Sequence, residues 1–174
     1  MRLKSYRTII FVRHGQAQYD PEKLTPLGRQ QAELAARCIE PLKPSKLYSS
    51  TMPRARETAG IIGAKIELKP LSKRFFSEGF LPGTQGFFEE LDKKCSRAER
   101  LKIREKARAA QLLRDRAFEF IFKVPKVGQS CEVVVAHGNV IRHWVCKSLG
   151  IDPESNWKAF DVMNASLTAV RIDQ

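Results

Sequence analysis

Two stretches of this sequence run from apolar residues straight into histidine and glycine. In the first, Ile9-Ile10-Phe11-Val12 leads into Arg13-His14-Gly15-Gln16. In the second, Val133-Val134-Val135-Ala136 leads into His137-Gly138-Asn139. The planar donor fork of Arg13 can grip an anion. Its charge also disfavours protonation of the neighbouring imidazole, so His14 keeps a lone pair for attack. Gly15, without a side chain, lets backbone approach a ligand closely. Either stretch alone is equally well explained by a strand that ends in a structural histidine. The chain holds only three histidines, however, and two of them close strand-like runs with a glycine behind them. The repetition points to a site.

Two more residues have the chemistry to join it. Arg54 falls in the first turn of an expected helix, just past the end of an expected strand, Lys46-Leu47-Tyr48-Ser49. If that strand runs parallel to the other two, Arg54 sits level with both histidine turns. That is the edge where open α/β sheets bind ligands, and it gives Arg54 a phosphate-binding role. Glu78 is a lone carboxylate within Phe75-Phe76-Ser77-Glu78-Gly79-Phe80-Leu81-Pro82-Gly83. Aromatic surroundings raise a carboxyl pKa and would suit a proton donor.

The elements that must position these residues alternate between strand and helix. Short unbroken apolar runs read as strands buried on both faces of a mostly parallel sheet. Thr25-Pro26 is a helix start, threonine as N-cap and proline at the first position. Leu27, Gln31, Leu34, Ala35, Cys38 and Leu42 then form the expected inward face. Ser50 is expected to cap the next helix, with Met52, Ala55, Ala59 and Ile62 as its buried stripe, and residues 65–68 to form a third, weaker strand. An irregular region to about residue 86, a long helix or helix pair over 87–122, and a helix over 140–149 follow. Asn139 is its expected N-cap and Gly150 its stop. His143 reads as structural or solvated and Trp144 as core. Residues 166–172 alternate as a last strand. The pattern predicts an α/β fold: three layers, α/β/α, with a mostly parallel central sheet flanked by helices.

At 174 residues and 43% hydrophobic content the chain is long enough for one substantial core. Its longest unbroken apolar runs are four residues, far short of a membrane span. The first eight residues hold no signal-like apolar segment, and a longer natural form with a targeting or anchoring segment stays open. Cys38, Cys95, Cys131 and Cys146 are scattered without paired spacing. They read as reduced thiols of an intracellular protein, with neither zinc site nor disulfide framework. The net charge is +12. Residues 93–108 hold eight basic residues against two acidic ones, half of that excess in one segment. Such a segment favours an acidic partner unless it is simply a solvated helix face.

The ordered set Arg13-His14-Gly15, Leu24-Thr25-Pro26-Leu27-Gly28, Ser49-Ser50 with Arg54-Ala55, Glu78 and His137-Gly138-Asn139 resembles the histidine phosphatase superfamily, the phosphoglycerate-mutase-like fold. Within it the chain is most similar to the mitochondrial serine/threonine phosphatases, through Ser77-Glu78-Gly79, Asn139-Val140-Ile141-Arg142 and Asn164-Ala165-Ser166-Leu167-Thr168. Asp20, Val140 and Ile141 stand where true mutases commonly carry other residues, which favours a phosphatase. The resemblance implies a phosphohistidine on His14. Arg13, Arg54 and His137 would hold the phosphoryl oxygens, Glu78 would serve as acid and then base, and Gly15, Gln16, Gly138 and Asn139 would bind substrate. It implies no metal and no cofactor. The implied partner is a phosphorylated protein or peptide. A dimer and a cytoplasmic or mitochondrial location both stay open, since the relatives' membrane segment and tryptophan-containing assembly motif are not seen in the sequence. A small-molecule phosphatase, a mutase, or a basic adaptor with a weak site are the alternatives.

Overall fold

The computed structural model describes residues 5–79, 87–123, 128–156 and 160–173. In chain order its strands are β1 (Tyr6–Arg13), β2 (Ala17–Tyr19), β3 (Glu22–Leu24), β4 (Lys46–Ser49), β5 (Leu71–Ser72), β6 (Gln129–Ala136) and β7 (Leu167–Asp173). The helices are α1 (Pro26–Ile39), α2 (Pro53–Ile66), α3 (Phe87–Lys94), α4 (Arg97–Ile121), α5 (Gly138–Ser148) and α6 (Pro153–Asn156). Five strands form one sheet in the order β5-β4-β6-β1-β7. The first four are parallel and β7 runs antiparallel to β1. β2 and β3 make a separate hairpin.

Each central strand is apolar on both sides because each side meets helices. Ile9 and Phe11 of β1 and Val134 and Ala136 of β6 pack with Ala117, Ile121, Ile141 and Trp144 from α4 and α5. Their neighbours Ile10, Val12, Val133 and Val135 pack on the other side with Ala35, Ala36, Ile39, Ala55, Ala59 and Ile62 from α1 and α2. Side chains alternate across a strand, so unbroken runs are what a doubly covered sheet requires. The expected three-layer α/β/α architecture is the one observed.

Three local expectations are overturned. The buried face of α1 is Gly28, Ala32, Ala35, Ala36 and Ile39, whereas Leu27, Leu34 and Leu42 are 49%, 59% and 52% exposed. The true stripe lies about a quarter turn from the one drawn through the large residues. Size decides here. A Cβ on Gly28 would come within 2.0 Å of the Gln16 carbonyl oxygen, so only small residues let α1 lie this close to the site. Residues 65–68 are not a strand. α2 continues to Ile66 and ends at Glu67, whose left-handed backbone (φ 56) lets its N–H reach the Gly63 carbonyl, and β5 forms only at Leu71. Neither expected cap acts as one. Met52 precedes α2 and His137 precedes α5 at the N-cap positions, without side-chain caps, which leaves Asn139 inside the first turn. Thr25 does cap α1, its Oγ1 accepting from Gly28 N with Pro26 next in line. Residues 80–86, the end of the expected irregular region, lie outside the described residues.

Candidate active site

Strand register builds the site. Arg13 of β1 pairs with Ala136 of β6, and Ser49 of β4 with Val135. The residues that follow each strand therefore emerge together at the carboxyl edge: His14, His137 and Ser50. The amide of His14 donates to Ala136 O at 3.0 Å and that of Ser50 to Val135 O at 2.9 Å, which fixes all three turns. The two imidazole centroids are 5.2 Å apart.

Arg54, in the first turn of α2, is the hub. It is only 4% exposed. Its Nε donates to His14 Nε2 at 3.1 Å, its Nη1 to Glu22 Oε1 at 2.6 Å and its Nη2 to Glu78 Oε2 at 2.9 Å. Nη2 also lies 3.1 Å from His137 Nδ1. Guanidinium has no lone pair to offer, so both facing imidazole nitrogens must be acceptors. The remaining ring nitrogens then carry the protons. His14 Nδ1 donates to Gly15 O at 2.8 Å, and His137 Nε2 donates to Ser50 Oγ at 2.8 Å. Ser50 also accepts from Met52 N at 3.1 Å and passes its own proton to Ser77 Oγ at 3.1 Å. One tautomer is set for each ring, and each ring turns its lone pair into the same space.

Both imidazoles are neutral at physiological pH. Burial is the first cause for His14, which is pushed down to about 4. Arg54 and Arg13 lower it further, against the opposing pull of Gly15 O and Glu22. His137 is pushed down to about 2, again by burial first and then by Arg54, His14 and Arg13. Arg13 acts on both rings. Its Nη1 donates to Val162 O at 2.6 Å, while its buried Nε has no hydrogen-bond partner among the described residues.

Glu78 reaches the site, but not in the surroundings expected of it. Its carboxylate is paired with Arg54 and lies 3.8 Å from His137 Nδ1, rather than standing among aromatic rings. Phe76 turns inward to the core cluster instead, with Phe75 packed against it. Gly15 permits a close approach of chain to chain. A Cβ there would stand 2.3 Å from Gly28 O, so the glycine admits α1. Gln16 is exposed, and its contacts tie the start of α1. Its backbone carbonyl accepts from Thr25 N at 3.0 Å, its Oε1 accepts from Thr25 Oγ1 at 2.8 Å, and its N–H donates to Gln31. Gly138 starts α5 beside Arg13, with room for a Cβ at 3.4 Å. Asn139, half-buried in the next position, makes no side-chain hydrogen bond among the described residues.

The chain belongs to the histidine phosphatase superfamily. Branch 1 of that family matches residues 9–174, which covers the whole set of residues just described. Among curated histidine phosphatase relatives, the mitochondrial serine/threonine-protein phosphatase Pgam5 of Caenorhabditis elegans is 35% identical over 95% of this chain and 58% of its own length. That of Drosophila melanogaster is 32% identical over 98% of this chain and 60% of its own. The chain thus spans about 60% of the length of these relatives. A phosphoglycerate mutase structure from Plasmodium falciparum has a TM-score of 0.65 at 26% identity, covering 97% of this chain and 84% of that one. A mycobacterial glucosyl-3-phosphoglycerate phosphatase reaches 0.66 at 26% identity, over 95% and 90%.

All five expected residues, Arg13, His14, Arg54, Glu78 and His137, are brought together. Sequence reasoning missed Glu22, which sits on a hairpin of two three-residue strands, too short for any periodicity to register. It also missed the use of Ser50 and Ser77, although both lie within the motifs quoted above. Thr58 is a further addition: it accepts from Gly15 N at 3.0 Å and donates to Arg54 O at 2.8 Å, pinning the His14 turn to α2.

Proposed function

We propose that this protein is a phosphatase that hydrolyses phosphomonoesters through a phosphohistidine on His14, and that its substrates are phosphoserine and phosphothreonine in proteins. The observation that carries the reading is the Nδ1–H bond from His14 to Gly15 O. It holds the proton away from Nε2, so the nitrogen facing Arg54 and His137 is the nucleophilic one. An incoming phosphate dianion draws Arg54 off that lone pair, and the buried, unpartnered Nε of Arg13 adds a second donor. Nε2 attacks phosphorus and the bond to the alkoxide breaks. Charge on the transferring oxygens is met by Arg13 and Arg54, and by His137 once Arg54 has left its Nδ1 and that nitrogen takes up a proton facing the dianion. Glu78, released from Arg54 by the dianion, takes up a proton from solvent as it leaves that ion pair and passes it to the alkoxide, then takes one from the water that attacks the phosphohistidine. Phosphate leaves and His14 is restored.

Two features support protein rather than small-molecule substrates: the relatives that match almost the full chain carry that description, and residues 93–108 form a strongly basic segment. Four free cysteines fit the reducing interior of a cell. Among the described residues no helix is long and apolar enough to cross a membrane. The test is a brief reaction with labelled substrate. Label on the protein should be acid-labile, base-stable and absent from His14→Ala. Acid-stable label would end the proposal. Phosphoglycerates and sugar phosphates, run beside phosphopeptides, decide the substrate class.

A further inference from the structure

The basic segment is not a uniform face. Asp92 of α3 takes Arg104 at 2.8 Å and Arg100 at 3.8 Å, and Glu90 takes Lys94 at 3.7 Å. Those arginines lie on one side of α4. Lys102 and Lys106 are exposed, lie about 200° around the helix from them, and carry no ion pair among the described residues.

Their side of α4 is the one that meets the active site. Arg7 Nη1 donates to the carbonyls of Phe120 and Ile121, so α4 ends at the foot of β1 and its earlier turns lie toward the catalytic edge. Phe120 packs on Phe75 and Phe76, with ring centroids at 5.4 and 6.0 Å. Ten residues before it, Ala110 stands against Gly79, the neighbour of Glu78, where a glycine Cβ would come within 2.6 Å of the Ala110 Cβ. Lys102 is eighteen residues before Phe120, which is five full helical turns, so the two share one column; Lys106 lies close to it. Ala110 lies about 80° around the helix from that column, with Lys106 midway between, so the side of α4 that holds Phe75, Phe76 and Gly79 continues past Gly79 as two ammonium groups without an ion pair among the described residues.

We propose that Lys102 and Lys106 form a docking ledge for acidic residues flanking the phosphorylated serine or threonine of a protein substrate. The proposal rests on the phosphatase reading, because Glu78 marks the leaving-group side from which the peptide emerges. Lys106 lies about 6 Å and Lys102 about 12 Å along the helix from Ala110. An extended chain advances about 3.3 Å per residue. Measured from Ala110 beside Gly79, the two lysines span about two to four residues of extended chain, so the acidic residues recognised start about two positions from the phosphorylated one. Attraction at such an exposed rim acts on substrate capture and weakens with salt.

The experiment compares two charge-matched double variants, Lys102→Glu/Lys106→Glu and Arg97→Glu/Arg108→Glu, the second altering the side of α4 away from the column. Substrates are a phosphothreonine peptide with aspartates two to four positions away, its neutral counterpart, and nitrophenyl phosphate. The lysine variant should lose about tenfold in kcat/KM on the acidic peptide, mainly through KM, and less as salt rises from 50 to 500 mM. Its rates on the other two substrates, and the arginine variant on all three, should stay within about twofold of wild type. Equal losses in both variants would reduce the effect to net charge and overturn the ledge, as would a wild type indifferent to the aspartates. Loss of binding to anionic phospholipid vesicles without loss on the peptide would assign the lysines to a membrane surface instead. Anisotropy of the same labelled peptides on His14→Ala separates the two readings. Lysine-dependent binding without turnover in the wild type would keep the ledge and sink the phosphatase.

Discussion

All three histidines of this chain lie below the ordinary imidazole value of 6.5: His14 at about 4, His137 at about 2 and His143 at about 4. Burial is the first cause in each case, and the side chains are 3%, 0% and 9% exposed. For His143 the neighbouring charges are Arg114 and Lys147, which lower it, and Asp115 and Asp152, which raise it. Unfolding releases every imidazole to 6.5, so between pH 6.5 and 4 the unfolded chain binds protons that the folded chain refuses. Stability therefore falls as pH falls through this window, and little is lost above it. At about 1.4 kcal/mol per pKa unit, each histidine removes about 2 kcal/mol by pH 5, or about 5 to 6 for the three together. A domain is stable by only about 5 to 15 kcal/mol. The acid limit of activity should then be set near pH 5 by unfolding, not by protonation of His14 in the folded enzyme. Urea unfolding at pH 7, 6 and 5, followed by the fluorescence of buried Trp144, measures this directly. Near pH 5.5 the slope should correspond to nearly three protons, about 4 kcal/mol per pH unit. His143→Gln, outside the catalytic set, should remove one of them. A curve flat between pH 7 and 5 would mean that the folded imidazoles take up protons at the ordinary value, and burial would no longer explain a neutral His14.

Glu78→Gln should slow the phosphohistidine burst from a phosphothreonine peptide by about a hundredfold or more, since the alkoxide needs its proton. It should largely spare the burst from nitrophenyl phosphate, whereas Arg54→Ala should slow both; equal slowing by Glu78→Gln would remove Glu78 as the acid. Glu22→Gln takes one of two competing carboxylates off Arg54 and should tighten inhibition by phosphate and vanadate about three- to tenfold. Weaker inhibition would instead make Glu22 the group that positions Arg54. Gly28→Ala drives a methyl into the Gln16 carbonyl and should cost about 3 kcal/mol in urea unfolding. Gly138→Ala meets Arg13 at ordinary contact distance and should change stability by less than about 0.5 kcal/mol; a large loss there would mean that the Arg13 packing is misjudged.

What the sequence discloses of this site is what residue type and strand patterning can carry. Two apolar runs ending in histidine and glycine, and an arginine after a third, suffice because parallel strands bring their carboxyl ends to one edge whatever lies between. Contacts between small groups are harder to read. The face of α1 follows from Gly15 and Gly28 meeting thirteen residues apart, and no count of hydrophobic residues anticipates that large leucines will be turned outward. Glu22 is invisible for a related reason. Its partner lies 32 residues away, and the hairpin that presents it has no period of its own. Ser50 looks like a helix cap because serine just ahead of a helical stripe commonly is one; only the position of His137 shows that its hydroxyl serves an imidazole.

The resting arrangement of Arg54 ties these pieces into one argument. A guanidinium buried beside two imidazoles is costly unless its N–H groups find acceptors. Here two neutral ring nitrogens and two carboxylates supply them. The rings can accept only while they are unprotonated, and they stay unprotonated because burial and the same guanidinium oppose a proton. Charge, tautomer and burial therefore enforce one another in the absence of substrate. On the proposed mechanism, a phosphate dianion offers Arg54 better acceptors than either imidazole, and in taking them it would free the lone pair of His14 toward the phosphorus it has brought. Binding and activation of the nucleophile would then be a single displacement, with the competing carboxylates Glu22 and Glu78 setting how much of the anion's affinity is spent in achieving it.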